Sequence, residues 1–127
     1  MDRIAFYGLL LSGLRAGALP DLPGGLRFER PCRIPGVLYD LGGYPALRPG
    51  EGSVRGELYA IDDPPVLARL DAFEGFKPDD EEGSLYVRRS VALLEPPEEA
   101  WVYVYNRDPS GRPAIASGDW RAHRSGR

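Results

Sequence analysis

The sequence predicts a single mixed α+β domain, and three observations lead there. Stretches rich in β-branched and aromatic residues recur at 3–8, 53–61, 85–95 and 100–107, which is strand composition. Between the second and third of these lies a segment with Val66, Leu67, Leu70 and Phe73 at helical spacing. The chain has 127 residues with no repeat and no dividing linker, which suits one core. Several strands and one firm helix around one core make an α+β domain.

Taken in order, "RIAFYG" (3–8) reads as a short strand ending at Gly8. "LLLSGLRAG" reads as a short helical or irregular passage, and Gly24-Gly25 marks a turn. Strand character returns at Val37–Asp40, followed by a loop at Gly42-Gly43-Tyr44-Pro45. "SVRGELYAI" (53–61) is a further strand, with Gly56 marking a bulge or a close backbone approach. Asp62 or Asp63 is placed to cap a helix opening near Pro64-Pro65, since proline suits a first turn, and that helix runs to about Glu74. "FKPDDEEGS" is an exposed acidic loop, and "EPPEE" is the turn between the last two strands. "AWVYVY" is apolar on both alternating faces, Trp101, Tyr103 and Tyr105 on one and Val102 and Val104 on the other. It is therefore expected to be a central strand covered on both sides, with Trp101 buried. The domain is expected to span 1–120, leaving 121–127 as a basic C-terminal tail.

The counts exclude several chemistries. A net charge of −3 gives no electrostatic footprint for nucleic acid or membrane, and no apolar run approaches a membrane span. "MDRIAFYGLLLSG" is not read as a signal peptide, because Tyr7-Gly8 interrupts its apolar run and Asp2 sits beside its one arginine. The single cysteine, Cys32, fits a cytoplasmic location without an internal disulfide. The single histidine, His123, lies in the expected tail, a poor platform for a nucleophilic triad. No Walker loop or dinucleotide-binding glycine fingerprint occurs, and a His-rich or Cys-rich metal site is impossible with one of each. Carboxylates, tyrosines and backbone amides are left to carry any catalysis.

One carboxylate stands out. With Val66 at zero and about 100° per residue, Leu70 falls near 40°, Phe73 near −20°, Leu67 near 100° and Glu74 near 80°. Glu74 thus lies inside the apolar arc, whereas Asp71, near 140°, sits at its outer, solvent edge. Glu74 also occupies a helix C-terminus, where the backbone dipole disfavours an anion. Burial and dipole both raise a carboxyl pKa, and such a group is either a proton shuttle or a terminal residue turning out to water at Gly75.

Four segments in order, "FYGLL", "GGYPAL", "VRGELYAID…LARLDAFEGF" and "VYVYN…IASGDW", together resemble the γ-glutamylcyclotransferase-like (AIG2-like) family over nearly the whole chain. The resemblance implies a small mixed β-barrel of about five or six strands with flanking helices and a cavity at one end. It implies a small-molecule γ-glutamyl substrate, a monomer or homodimer, and no cofactor. It assigns Glu74 the role of general base and then acid, as the substrate's own α-amine closes on its γ-carbonyl to give 5-oxoproline and a freed amine. It assigns backbone amides of Tyr7, Gly8, Leu9 and Leu10 to the glutamyl head. The family signature carries a hydroxyl residue where this chain has Leu9. Of the late tyrosines, Tyr105 is chosen over Tyr103 for substrate contact. Two other readings stand beside this one: a two-carboxylate hydrolase using Asp71 with Glu74, and a binding module that keeps the cavity without turnover.

Overall fold

The computed structural model describes residues 2–8 and 24–125. Within them the chain forms β1 (Arg3–Phe6), β2 (Leu26–Asp40), β3 (Pro45–Ile61), α1 (Val66–Glu74), β4 (Tyr86–Ala92), β5 (Glu99–Tyr105) and α2 (Trp120–Ser125). The strands make one sheet in the order β2-β3-β1-β5-β4. β1 runs parallel to β5, and the other pairs are antiparallel. The passage 9–17 and the residues Leu9 and Leu10 lie outside the described residues.

The sheet is open, which corrects the expected barrel. β2 and β4 are its edges, and among the described residues no ladder joins them; Arg33 of β2 makes an isolated bridge to Glu95 in the turn after β4. There the Arg33 N–H donates to the Glu95 carbonyl (2.8 Å) and the Leu94 N–H donates back to the Arg33 carbonyl (2.9 Å). Amides two residues apart on a strand face the same side, so the outward positions flanking Arg33 are 31 and 35. Both are prolines and have no N–H to give. β2 therefore offers one donor along this stretch of its free edge, too few for a ladder. The same prolines explain why β2 is longer than the expected Val37–Asp40: they are breakers inside a strand, but they are tolerated at an edge.

Each face of the sheet carries its own core. Ile4, Phe6, Tyr59, Val87 and Tyr103 pack under Val66 and Leu70 of α1. On the opposite face Ala5, Ile34, Leu38, Leu58 and Val102 pack against Leu93, Ile115 and Trp120. β5 lies between β1 and β4 and alternates between the two cores, as its two-sided apolar pattern predicts. Trp101 is only partly buried, contrary to expectation: it packs at the margin of the α1-side core, with the Arg88 guanidinium over its ring at 4.4 Å. The fully buried tryptophan is Trp120.

The helix ends are made differently from each other. Neither Asp62 nor Asp63 caps α1 through its side chain; Asp62 is instead held by Arg27, at 3.1 and 3.0 Å. α1 stops at Gly75, whose φ of 73° is left-handed, and Phe76 N–H bonds back to the Asp71 carbonyl (2.8 Å). α2 is capped by Asp119, which accepts from the Ala122 N–H at 3.1 Å. The expected boundary after Trp120 falls inside α2, and two residues beyond it reach the sheet. Arg121 pairs with Glu57 of β3 (3.1 Å), and His123 Nε2 lies 2.8 Å from Asp40 Oδ2 at the end of β2.

Candidate active site

A cavity of about 170 Å³ opens between the C-terminal end of α1, the end of β1, the β2–β3 turn and the start of β4. Glu74 reaches it because α1 terminates there. Leu85 N–H bonds to the Gly75 carbonyl (3.1 Å), fixing the helix end against the entry to β4. Among the described residues the Glu74 carboxyl makes no hydrogen bond or ion pair, and burial pushes its pKa up to about 8. The wheel position of Glu74 was legible from sequence. It lines the cavity with Phe73 and is half-buried there.

Three tyrosines share the cavity with it. Tyr7, just past β1, donates its hydroxyl to the Tyr103 carbonyl at 2.6 Å. Tyr86 of β4 donates to the Pro45 carbonyl at 2.6 Å, and Tyr103 of β5 donates to Asp71 Oδ1 at 2.7 Å. Burial raises the pKa of all three, and the nearby Glu74 charge raises each further, so they remain neutral phenols. Each hydroxyl proton is committed to a protein acceptor. The phenol oxygens keep lone pairs that can still accept from a ligand cation.

Gly8 also lines the cavity, where β1 passes the β2–β3 turn. A Cβ on Gly8 would lie 2.6 Å from Pro45 Cγ, so the missing side chain lets β1 pack against Pro45. Tyr105 is not among the lining residues. It packs edge-on against Tyr86, with ring centroids 5.4 Å apart, and Tyr103 takes the cavity position. Side-chain alternation puts both tyrosines on one face and cannot rank them.

Asp71 reverses its expected place at the solvent edge. It is 5% exposed and receives a two-pronged contact from Arg88, Nε to Oδ1 at 2.8 Å and NH2 to Oδ2 at 3.1 Å, in addition to the Tyr103 hydroxyl. Arg88 is itself flanked by the Phe76 and Trp101 rings, at 5.7 and 4.4 Å. A helical wheel sees only α1 and cannot register a cation arriving from β4. The sequence did hold a signal: at period two, Arg88 shares a face with Tyr86, so one arginine of "YVRRSV" points inward. With its charge matched, Asp71 is not free to pair with Glu74 as a second catalytic acid, and the two-carboxylate hydrolase loses its basis.

Sequence reasoning assigned no role to Tyr44, Pro45, Phe73, Leu85 or Tyr86 in the wall, because turn and strand ends converge there only in the fold. Among the described residues no three His, Cys, Asp or Glu side chains come close enough to hold a metal ion. No helix there is long and apolar enough to cross a membrane.

Comparison with known proteins fits this arrangement. The sequence profile of "Gamma-glutamyl cyclotransferase, AIG2-like" matches residues 4–122. The γ-glutamylcyclotransferase family protein YtfP of Escherichia coli K12 is 43% identical over 83 residues, which are 65% of this chain and 66% of that protein's length. The chain thus matches slightly under two thirds of that curated relative. The solution structure of E. coli ytfP superimposes with a TM-score of 0.67 at 34% identity, covering 96% of this chain and 98% of the other. An AIG2-like protein from Mus musculus superimposes with a TM-score of 0.66 at 25% identity, covering 91% and 86%. With nearly its whole length under the family profile, the chain belongs to the AIG2-like γ-glutamyl cyclotransferase family.

Proposed function

We propose that the protein cyclises a γ-glutamyl amine or amino acid to 5-oxoproline and releases the amine. The observation that carries this reading is Glu74, a carboxyl without a partner among the described residues, facing a cavity with its pKa pushed up to about 8. A general acid–base works best when its pKa lies near the working pH.

The reaction needs no water and no second substrate. The α-amine nitrogen attacks the γ-carbonyl carbon, a new C–N bond closes the five-membered ring, and the original γ-amide C–N bond breaks. The α-ammonium gives up two protons in all: one passes to the Glu74 carboxylate and is returned to the departing nitrogen, and the second, shed by the ring nitrogen after attack, goes to solvent. An incoming ammonium favours the ionised carboxylate, so binding itself generates the base. Neutral phenol oxygens of Tyr7, Tyr86 and Tyr103 accept from the ammonium without competing for its charge. Holding the two reacting ends at contact distance removes much of the entropic barrier. Backbone amides at Tyr7–Leu10 orient the glutamyl head in this proposal, a role that does not depend on the side chain of Leu9.

Incubation with glutathione, γ-glutamyl amino acids and γ-glutamyl-ε-lysine, with 5-oxoproline measured, tests the reading. Absence of product from every member overturns it. The second reading, a module that binds in the same cavity without turnover, is favoured by Leu9 in the hydroxyl position. It is supported if the same compounds raise the melting temperature yet none is consumed.

A further inference from the structure

We infer that the departing amine is uncharged and apolar next to its nitrogen, and that Leu85 and Tyr44 select it. This rests on the cyclotransferase reading and sharpens its substrate. Among the described residues four large apolar side chains stand exposed: Phe28, Tyr44, Leu85 and Leu94. Two of them, Tyr44 and Leu85, each 37% exposed, line the cavity that holds Glu74.

The positions of both are fixed by backbone. Leu85 is held at its N–H by the Gly75 carbonyl (3.1 Å) and at its carbonyl by the Asn106 N–H (2.9 Å). It therefore sits beside the residue that follows Glu74. Tyr44 closes the β2–β3 turn, where its carbonyl accepts from the Leu41 N–H (3.0 Å), and it precedes Pro45, which Tyr86 holds. With Phe73 these side chains give the cavity an apolar margin next to its one carboxyl. Among the described lining residues there is no arginine, lysine or histidine.

The chemistry assigns this margin to the leaving side. The charged end of the glutamyl head, an ammonium and a carboxylate, gains nothing from apolar walls. The nitrogen that Glu74 reprotonates must lie against Glu74, so its substituent extends along Phe73, Leu85 and Tyr44. A carboxylate on that substituent would lose water against apolar side chains and sit close to the ionised Glu74. A hydrocarbon substituent would gain from the same burial.

The test compares the KM values of γ-glutamyl-benzylamide, γ-glutamyl-methylamide and γ-glutamylglycine, with 5-oxoproline release as the assay. The benzylamide KM should lie at least about tenfold below that of the methylamide, the effect of burying on the order of 60 Å² of apolar surface. The γ-glutamylglycine KM should be the highest. In Leu85→Ser and Tyr44→Ser the benzyl-to-methyl ratio should fall toward one, and comparing ratios between proteins cancels the difference in amine basicity. Equal or better use of the methylamide or of γ-glutamylglycine overturns the inference while leaving the cyclotransferase reading intact. A benzyl preference that survives both substitutions also overturns it, because the selecting surface then lies elsewhere. Release of 5-oxoproline from none of the three, while glutathione or γ-glutamyl-ε-lysine yields it, overturns this inference and leaves the cyclotransferase reading intact; release from no γ-glutamyl compound at all overturns both.

Discussion

Asp71 and Glu74 lie one turn apart on α1, and the protein treats their charges in opposite ways. Asp71 is the more buried of the two, yet it accepts three hydrogen bonds, two from Arg88 and one from Tyr103. Glu74 faces the cavity, makes no such bond among the described residues, and has its carboxyl driven toward the neutral form. The difference shows what burial alone does not decide. A buried acid with a matched cation is a structural tie, here joining α1 to β4 and β5. An acid left without a partner at a cavity wall keeps its proton exchangeable, and chemistry needs that.

The largest expected effect separates the two by function. Glu74→Gln keeps shape and hydrogen-bonding atoms but cannot exchange a proton near neutral pH. Release of 5-oxoproline should fall by about 10²–10⁴-fold, the usual worth of general acid–base help. Substrate affinity should move far less. Turnover within a factor of a few of wild type would end the assignment of Glu74.

Next comes the tie itself. Arg88→Met leaves Asp71 charged, buried and without its cation, and breaking such a pair from one side costs about 3–5 kcal/mol. Urea unfolding should show that loss, and a change below about 1 kcal/mol, the range of an exposed pair, would mean Asp71 reaches water after all. Asp71→Asn is milder. The amide oxygen still accepts from Tyr103, but Arg88 loses a charged acceptor, and a loss of about 1–3 kcal/mol is expected. Because Tyr103 lines the cavity and hangs on Asp71, turnover should drop several-fold in the folded variant. Wild-type turnover in Asp71→Asn would show that the tie and the cavity are independent.

Sequence patterns spoke clearly where the determinant is local. Period two in "AWVYVY" placed β5 between two cores, and helical spacing put Glu74 inside the apolar arc. They failed where a distant segment decides. Asp71 looked solvent-facing because its cation comes from β4, seventeen residues later. The barrel stayed open because Pro31 and Pro35 silence a strand edge that no pattern within one segment could identify as an edge. Residues 121–125 of α2 were read as tail because nothing beyond Ala122 is apolar, while their polar contacts, Arg121 to Glu57 and His123 to Asp40, lie far away in sequence. Tyr44, in a turn, and Leu85, at the start of an expected strand, were given no role, since only the fold brings them to one cavity.

The smallest effect is the most specific to Glu74, because it reads its proton directly. The ordinary value of 4.5 applies when the chain is unfolded and about 8 when it is folded. Between those values the folded state holds a proton that the unfolded chain has released, so stability falls as pH rises through the window and levels off above about 8. Glu74→Gln has no such proton to lose. The two proteins should therefore melt alike near pH 4.5, and the variant should melt higher by a few degrees at pH 8. The same carboxyl governs the rate: kcat/KM should rise with pH through about 8, as the free protein gains its base. The limb in kcat should lie lower, since the bound ammonium stabilises the carboxylate. A melting difference that is constant with pH would show that the Glu74 carboxyl titrates as it does in water. Glu74 would then be no different from any surface glutamate, and its contrast with Asp71 would collapse.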